Sequence, residues 1–116
     1  MTNRENIRIK KKFQELREMW GGCCWNCGNT KKLEFAHREK DKNFNGMGRG
    51  RKERYYNIKN NPTKYWLGCK YCHQDYDRGD VSLDTILYNA IERRGIEMKI
   101  SWEDLGVNTQ EILEGN

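Results

Sequence analysis

Five cysteines and two histidines carry most of the chemistry available to this chain, and their spacing groups them. Cys24-Trp25-Asn26-Cys27 and Cys69-Lys70-Tyr71-Cys72 are two Cys-x-x-Cys pairs. His73 follows the last cysteine at once, and Asp77 stands four residues beyond it. The other histidine, His37, closes the segment Leu33-Glu34-Phe35-Ala36-His37 between the pairs. Each Cys-x-x-Cys presents two thiolates from one tight turn. Two such turns supply the four sulfurs of a tetrahedral structural Zn²⁺ site. Cys24, Cys27, Cys69 and Cys72 are the expected ligands. Cys23 is the odd thiol, since Cys24 has the standard spacing to Cys27. The plainer alternative is four buried structural thiols. The pairs are separated by residues 28–68, 41 in all, more than a simple zinc ribbon needs, so something is built between the knuckles. His73 and Asp77 lie four apart on an expected helix and so project from one face, close enough to share an ion. A nitrogen and a carboxylate oxygen suit a catalytic Mg²⁺, Mn²⁺ or Zn²⁺ better than a structural sulfur site.

These residues need elements to hold them. Ile9, Phe13, Leu16 and Trp20 recur at helical spacing, so residues 4–20 read as an amphipathic helix ended by Gly21-Gly22. Arg8, Lys10, Lys11, Lys12 and Arg17 surround that stripe; a solvated basic face and a polyanion contact explain them equally well. Lys32 to His37 reads as a short strand, with Leu33, Phe35 and His37 on one side and Glu34 and Ala36 on the other. Residues 38–54 read as a loop. In it Gly46, Gly48 and Gly50 alternate with Met47, Arg49 and Arg51, followed by Lys52-Glu53-Arg54. Glycines let a backbone lie close to a partner, and arginine forks bind phosphate or guanine. With Tyr55 and Tyr56 nearby, Arg49, Arg51, Lys52 and Arg54 point to nucleic acid rather than to a merely charged loop. Tyr65-Trp66-Leu67 is a second strand that delivers Cys69 to its knuckle. A short helix from Cys72 to Arg78 follows, closed by Gly79. Ser82 is the N-cap of a helix whose apolar face is Leu83, Ile86, Leu87, Ala90 and Ile91 and which ends at Gly95. Ser101-Trp102-Glu103-Asp104 caps a further helical turn, and the tail from Gly106 is expected to be weakly ordered.

Composition bounds the rest. The chain has 116 residues, 35% hydrophobic and 34% charged, with a net charge of +5. That predicts one small α+β domain with a modest core, in need of a staple that metal binding would provide. Three segments are expected: a basic amphipathic helix over 1–22, the zinc-stapled core over 23–80 and a helical segment over 81–116. The pI of about 9.0 favours a polyanion, because clustered Lys and Arg release phosphate counterions. The polar N-terminus shows no apolar signal stretch, and no membrane span or membrane partner is expected. The default location is therefore intracellular, cytoplasmic or with nucleic acid in a nucleoid or nucleus, a viral origin included. In a reducing compartment, cysteine pairs are more often metal ligands than disulfides.

The order of these parts is where a family enters. Leu-x-x-x-His on a strand, a polar loop, a second strand, then Leu67-x-Cys69-x-x-Cys72-His73-x-x-x-Asp77 on a helix resembles the HNH, or ββα-metal, endonucleases. The resemblance covers roughly residues 23–79. It implies a ββα-metal (His-Me finger) core and a hydrolase that cleaves DNA phosphodiester bonds, with RNA a further substrate class. The products would be 5′-phosphate and 3′-hydroxyl ends, made by nicking or, as a homodimer, by cutting both strands. By position, the resemblance makes His37 the general base and His73 and Asp77 ligands of a catalytic Mg²⁺ or Mn²⁺. Arg38 becomes a charge neutraliser or an ordinary phosphate contact. The family's Asp or His before the base is replaced by Ala36, which binds nothing. Water, Glu34 or Asp41 must fill that position, or else the register shifts and His37 itself is a ligand. The family's central Asn is replaced by Lys64. Asn57, Asn60 and Asn61 remain as residues that could orient His37, and Asn61 is the one taken here. These departures keep a non-catalytic, zinc-stapled nucleic-acid-binding module as the second expectation, with a zinc-dependent protein-interaction domain as the third.

Overall fold

A computed structural model describes residues 3–39, 50–94 and 99–114 of the chain. Helix α1 runs over Asn3–Met19. Its stripe packs as its spacing predicts: Ile9, Leu16 and Trp20 are buried, and Phe13 is partly so. Gly21 and Gly22 end it with positive φ, and the Gly22 amide donates to the Arg17 carbonyl. Strand β1, Leu33–His37, pairs antiparallel with β2, Tyr65–Cys69. The register sets Leu33 opposite Cys69, Glu34 opposite Gly68, Phe35 opposite Leu67, Ala36 opposite Trp66 and His37 opposite Tyr65. Helix α3, Lys70–Asp77, leaves β2 without a break. It begins two residues earlier than the cysteine spacing suggests, because Cys69 itself is the N-cap, its sulfur accepting from the Cys72 amide. Helices α4, Leu83–Arg94, and α5, Thr109–Glu114, complete the chain.

Two expectations need correction. The loop expected over residues 38–54 ends earlier: Arg51, Lys52 and Arg54 lie on helix α2, Arg51–Asn60. The helix forms because Tyr55 and Ile58, three apart, bury one face of it, with the Tyr55 ring edge-on to Phe13 of α1 at 5.5 Å. A polar stretch thus becomes helical through two buried side chains and a tertiary partner. The tail from Gly106 to Glu114 is also ordered. Leu105 and Val107 are in the core, and the Asn108 side chain caps α5 through the Glu111 amide at 3.0 Å. The expected end of α4 at Gly95, and Asp41, Gly46, Met47, Gly48 and Arg49, lie outside the described residues.

One core joins all three expected segments. Trp20 stacks on Trp25 at 5.5 Å and meets Phe35 edge-on at 5.0 Å. Trp25 meets Trp102 at 4.9 Å. Trp102 comes from the C-terminal segment and Trp20 from the end of α1, so both terminal regions contribute to that core. Among the described residues, no helix is long and apolar enough to cross a membrane.

Candidate metal centre and its neighbours

The two Cys-x-x-Cys turns meet across 41 residues because the sheet register brings them together. The Trp25 amide donates to the Leu67 carbonyl at 2.9 Å, fastening the first turn to β2 just before Cys69. Within that turn the Gly28 amide returns to the Cys24 carbonyl at 2.9 Å. The potential ligand atoms of Cys24, Cys27, Cys69 and Cys72 all lie within 4.8 Å of one another. The Cys27 and Cys69 sulfurs are 3.7 Å apart. Tetrahedral Zn²⁺ with Zn–S bonds of about 2.3 Å separates its sulfurs by about 3.8 Å. The four thiols therefore form a cluster that could hold a metal such as zinc. Cys23 is buried too but is not part of that cluster. All five cysteines are free thiols rather than disulfides.

The sulfurs sit in a built surround. Burial pushes the Cys27 and Cys72 thiols up. At Cys69 burial acts in the same direction, but hydrogen bonds from Cys72, Cys27 and the Tyr71 backbone outweigh it and hold that thiol below its ordinary value. Asn26 donates to the Cys72 sulfur at 3.4 Å and accepts from Asn89 of α4 at 2.9 Å. Arg93 of α4 donates to the Asn26 carbonyl at 3.3 Å. Spacing did not single out Asn26, Asn89 or Arg93. The only local signal was the asparagine inside the first Cys-x-x-Cys.

Directly beyond the cluster, three more groups converge. His73 Nδ1 pairs with the Glu34 carboxylate of β1, and His73 Nε2 lies 3.3 Å from Asp77 Oδ2. With ligand bonds of about 2.1 Å, neighbouring ligand atoms around a divalent ion lie about 3.0–3.4 Å apart. The His73–Asp77 spacing fits one such edge. Glu34 uses the opposite ring nitrogen, so in this arrangement it holds and orients His73 rather than sharing an ion with Asp77. Glu34 reaches His73 because it faces the same side of the sheet as Ala36 and Trp66. Helix α3 packs on that side, with Trp66 edge-on to both His73 and Tyr76. The Tyr76 hydroxyl donates to the Arg38 carbonyl, so α3 runs back along the sheet towards the His37 end of β1.

His37 itself alternates with Phe35 and so lies with Tyr65, ring centroids 4.7 Å apart. That is the face opposite Glu34 and Ala36. The Tyr65 hydroxyl accepts from the Asn57 side chain. Asn61 donates to both the backbone and side-chain oxygens of Asn57, at 3.0 and 2.9 Å. Asn61 thereby closes α2 and enters the same polar string that ends at Tyr65. Arg38 donates from Nε to the Tyr65 carbonyl at 2.7 Å, and burial lowers its guanidinium to about 10. Arg51, Lys52 and Arg54 are exposed on α2; Arg54 also donates to the Phe35 carbonyl at 3.1 Å.

The structure thus brings together two groups of the sequence-derived residues: the four cysteines, and His73 with Asp77. It separates His37 from His73 by the thickness of the sheet. Compared with known proteins, the chain matches no protein-family model, no curated protein and no solved structure.

Proposed function

We propose that this chain is a zinc-stapled HNH-type endonuclease in which the four cysteines hold structural Zn²⁺. In this reading β1, β2 and α3 are a ββα-metal core. The observation that carries it is the convergence of Glu34, His73 and Asp77 beside the cysteine cluster. Glu34 answers the difficulty posed by Ala36, since it supplies a carboxylate on the same sheet face. His73 Nε2 and Asp77 would hold a divalent Mg²⁺ or Mn²⁺. Such an ion supplies Lewis-acid stabilisation of the scissile phosphate and the leaving oxygen. Glu34 fixes the ring of His73 and directs its Nε2 towards Asp77. His37 is the base that takes the proton from water at a ring nitrogen, and because it lies on the opposite sheet face from His73, this reading requires the substrate to pass round the β1 end that α3 approaches. Tyr65 packs against the His37 ring, and Asn57, itself bound by Asn61, holds the Tyr65 hydroxyl. The cationic side chains of α2 meet DNA.

A second reading, a nucleic-acid-binding module that does not cut, is favoured by one observation. Period-two alternation sets His37 on the opposite face from His73. Incubating supercoiled plasmid with zinc-loaded protein and Mg²⁺ or Mn²⁺ separates the two. The nuclease reading expects cleavage that Asp77→Ala and His73→Ala weaken and that excess metal partly restores. It expects His37→Ala to lose about 10²–10⁴ in rate while zinc content and DNA affinity persist. Plasmid that is bound yet left intact under every divalent ion would favour the binding module instead.

A further inference from the structure

A groove of about 540 Å³ runs between α1 and α2 along the outer edge of β1. Lys10 and Arg17 line one wall, Arg51 and Arg54 the other, and Phe13 and Phe35 are among its apolar lining residues. The two walls form for separate reasons. Lys10, Phe13 and Arg17 are three and then four apart, one stripe of α1. Arg51 and Arg54 are three apart on α2, which is docked by Tyr55 against Phe13. Among the described residues none of these four cations forms an ion pair within 4.0 Å. Glu34 is the one carboxylate in the lining among the described residues, and it is already engaged by His73. Burial lowers the Arg17 guanidinium, and the neighbouring Glu18 charge only partly offsets that loss of water. The groove is a concave site with four cations on its walls, three of them exposed.

We infer that this groove binds a segment of single-stranded nucleic acid, with phosphates between the two cationic walls and a sugar or base against Phe13, the partly open ring of a floor beneath which Phe35 is buried. Cations facing each other across aromatic side chains are the recurring chemistry of single-strand channels. A duplex presents phosphates on its outside and offers no base face to an apolar floor. An acidic polypeptide would match the charge but has no planar group to lay on Phe13. Because Glu34 lines the groove and touches His73, a strand lying there passes beside the cluster of the preceding section. In that sense the inference deepens the nuclease reading, though strand binding itself does not depend on it.

The test is fluorescence anisotropy with a labelled oligothymidylate of about 16 nucleotides, zinc-loaded protein and no added divalent ion. Lys10 and Arg51 are exposed, so Lys10→Ala/Arg51→Ala should fold, which zinc content and circular dichroism confirm. Losing two single-strand phosphate contacts should flatten the log–log salt slope by about 1.4, equivalent to about 25-fold weaker binding at 0.1 M salt. Lys31→Ala/Lys70→Ala removes the same charge from exposed positions outside the groove and should leave the slope near wild type. Equal losses in both double variants would overturn the inference in favour of diffuse charge. Displacement of the probe by polyglutamate as readily as by unlabelled oligonucleotide would make the groove an acidic-polypeptide site. Tighter binding of the corresponding duplex would remove the single-strand assignment. Cleavage does not enter the readout. A protein that binds through the groove but cuts nothing keeps this inference and ends the nuclease reading. One that cuts, with wild-type binding in the groove variant, does the reverse.

Discussion

Asn26 shows how much of a metal centre lies outside its ligands. Its side chain contacts the Cys72 sulfur, receives a hydrogen bond from Asn89, and its carbonyl receives Arg93. A thiolate pushed towards its protonated form by burial gains most from such a donor. Removing groups that orient ligands typically costs about 10–100-fold in metal affinity. Asn26→Ala should therefore weaken Zn²⁺ binding by about that factor in a competition titration with a chelating dye. An unchanged affinity would mean that the contact to Cys72 is incidental. Cys72→Ser should go further and abolish stoichiometric zinc, whereas Cys23→Ser should leave zinc content untouched; elemental analysis distinguishes them. At this same scale Glu34 has a role that Ala36 cannot perform. Glu34→Gln should keep the fold, since the carboxylate is partly exposed, and should raise the concentration of Mg²⁺ or Mn²⁺ needed for any cleavage. A metal titration identical to wild type would leave Glu34 without a part in the chemistry.

The sheet and α3 form a layered element in which one glycine matters. Gly68 faces the same side as Trp66, and a Cβ at Gly68 would overlap the Trp66 ring. That ring is fully buried and packs edge-on against His73 and Tyr76. Gly68→Ala should displace the indole and with it α3. Overpacking a filled core typically costs about 1–3 kcal/mol, and thermal denaturation should reveal a loss of that size. A neutral effect would imply that Trp66 has another rotamer available. Helix α2 is the complementary case. It is highly charged and holds its place through Tyr55 and Ile58. Ile58 is wholly buried, so Ile58→Ala should cost about 2–5 kcal/mol. Undocking α2 would also dismantle one wall of the cationic groove, so oligonucleotide affinity should fall with stability. Retained affinity in a destabilised Ile58→Ala protein would place binding elsewhere.

Across the whole molecule, the cysteine cluster ties together segments that also meet in the core. The first knuckle hydrogen-bonds β2, the second begins α3, and α4 reaches the cluster through Asn89 and Arg93. Domains of this size are stable by about 5–15 kcal/mol. Structural Zn²⁺ in small metallo-domains contributes on the order of 10–16 kcal/mol of binding free energy near neutral pH. Chelation of the metal should therefore leave the chain largely unfolded, with loss of helical circular dichroism that returns when Zn²⁺ is added back. Acid should do the same, because the ligands must be thiolates and protons compete with the ion. A metal-free chain with the same cooperative melt as the loaded one would show that the tryptophan-rich core suffices.

Short-range patterns in the sequence determined a good deal by themselves. The cysteine quartet, the amphipathic stripe of α1, both strands and the Ser82 cap, whose hydroxyl accepts from the Thr85 amide at 3.2 Å, all follow from residue types within a turn or a strand's length. Period two also put Glu34 and His37 on opposite faces before any fold was known. Tertiary structure decided what depends on partners far along the chain. Arg51 to Asn60 is helical because Tyr55 finds Phe13, 42 positions earlier by number (55 − 13). The C-terminal segment is ordered because Leu105 and Val107 find the core. Glu34 meets His73 only because the register sets Glu34 opposite Gly68 and α3 then folds back over that face. Local patterning records which face a side chain takes. Which other face it meets is fixed only when distant elements have packed, because the energy that selects the partner comes from shared burial.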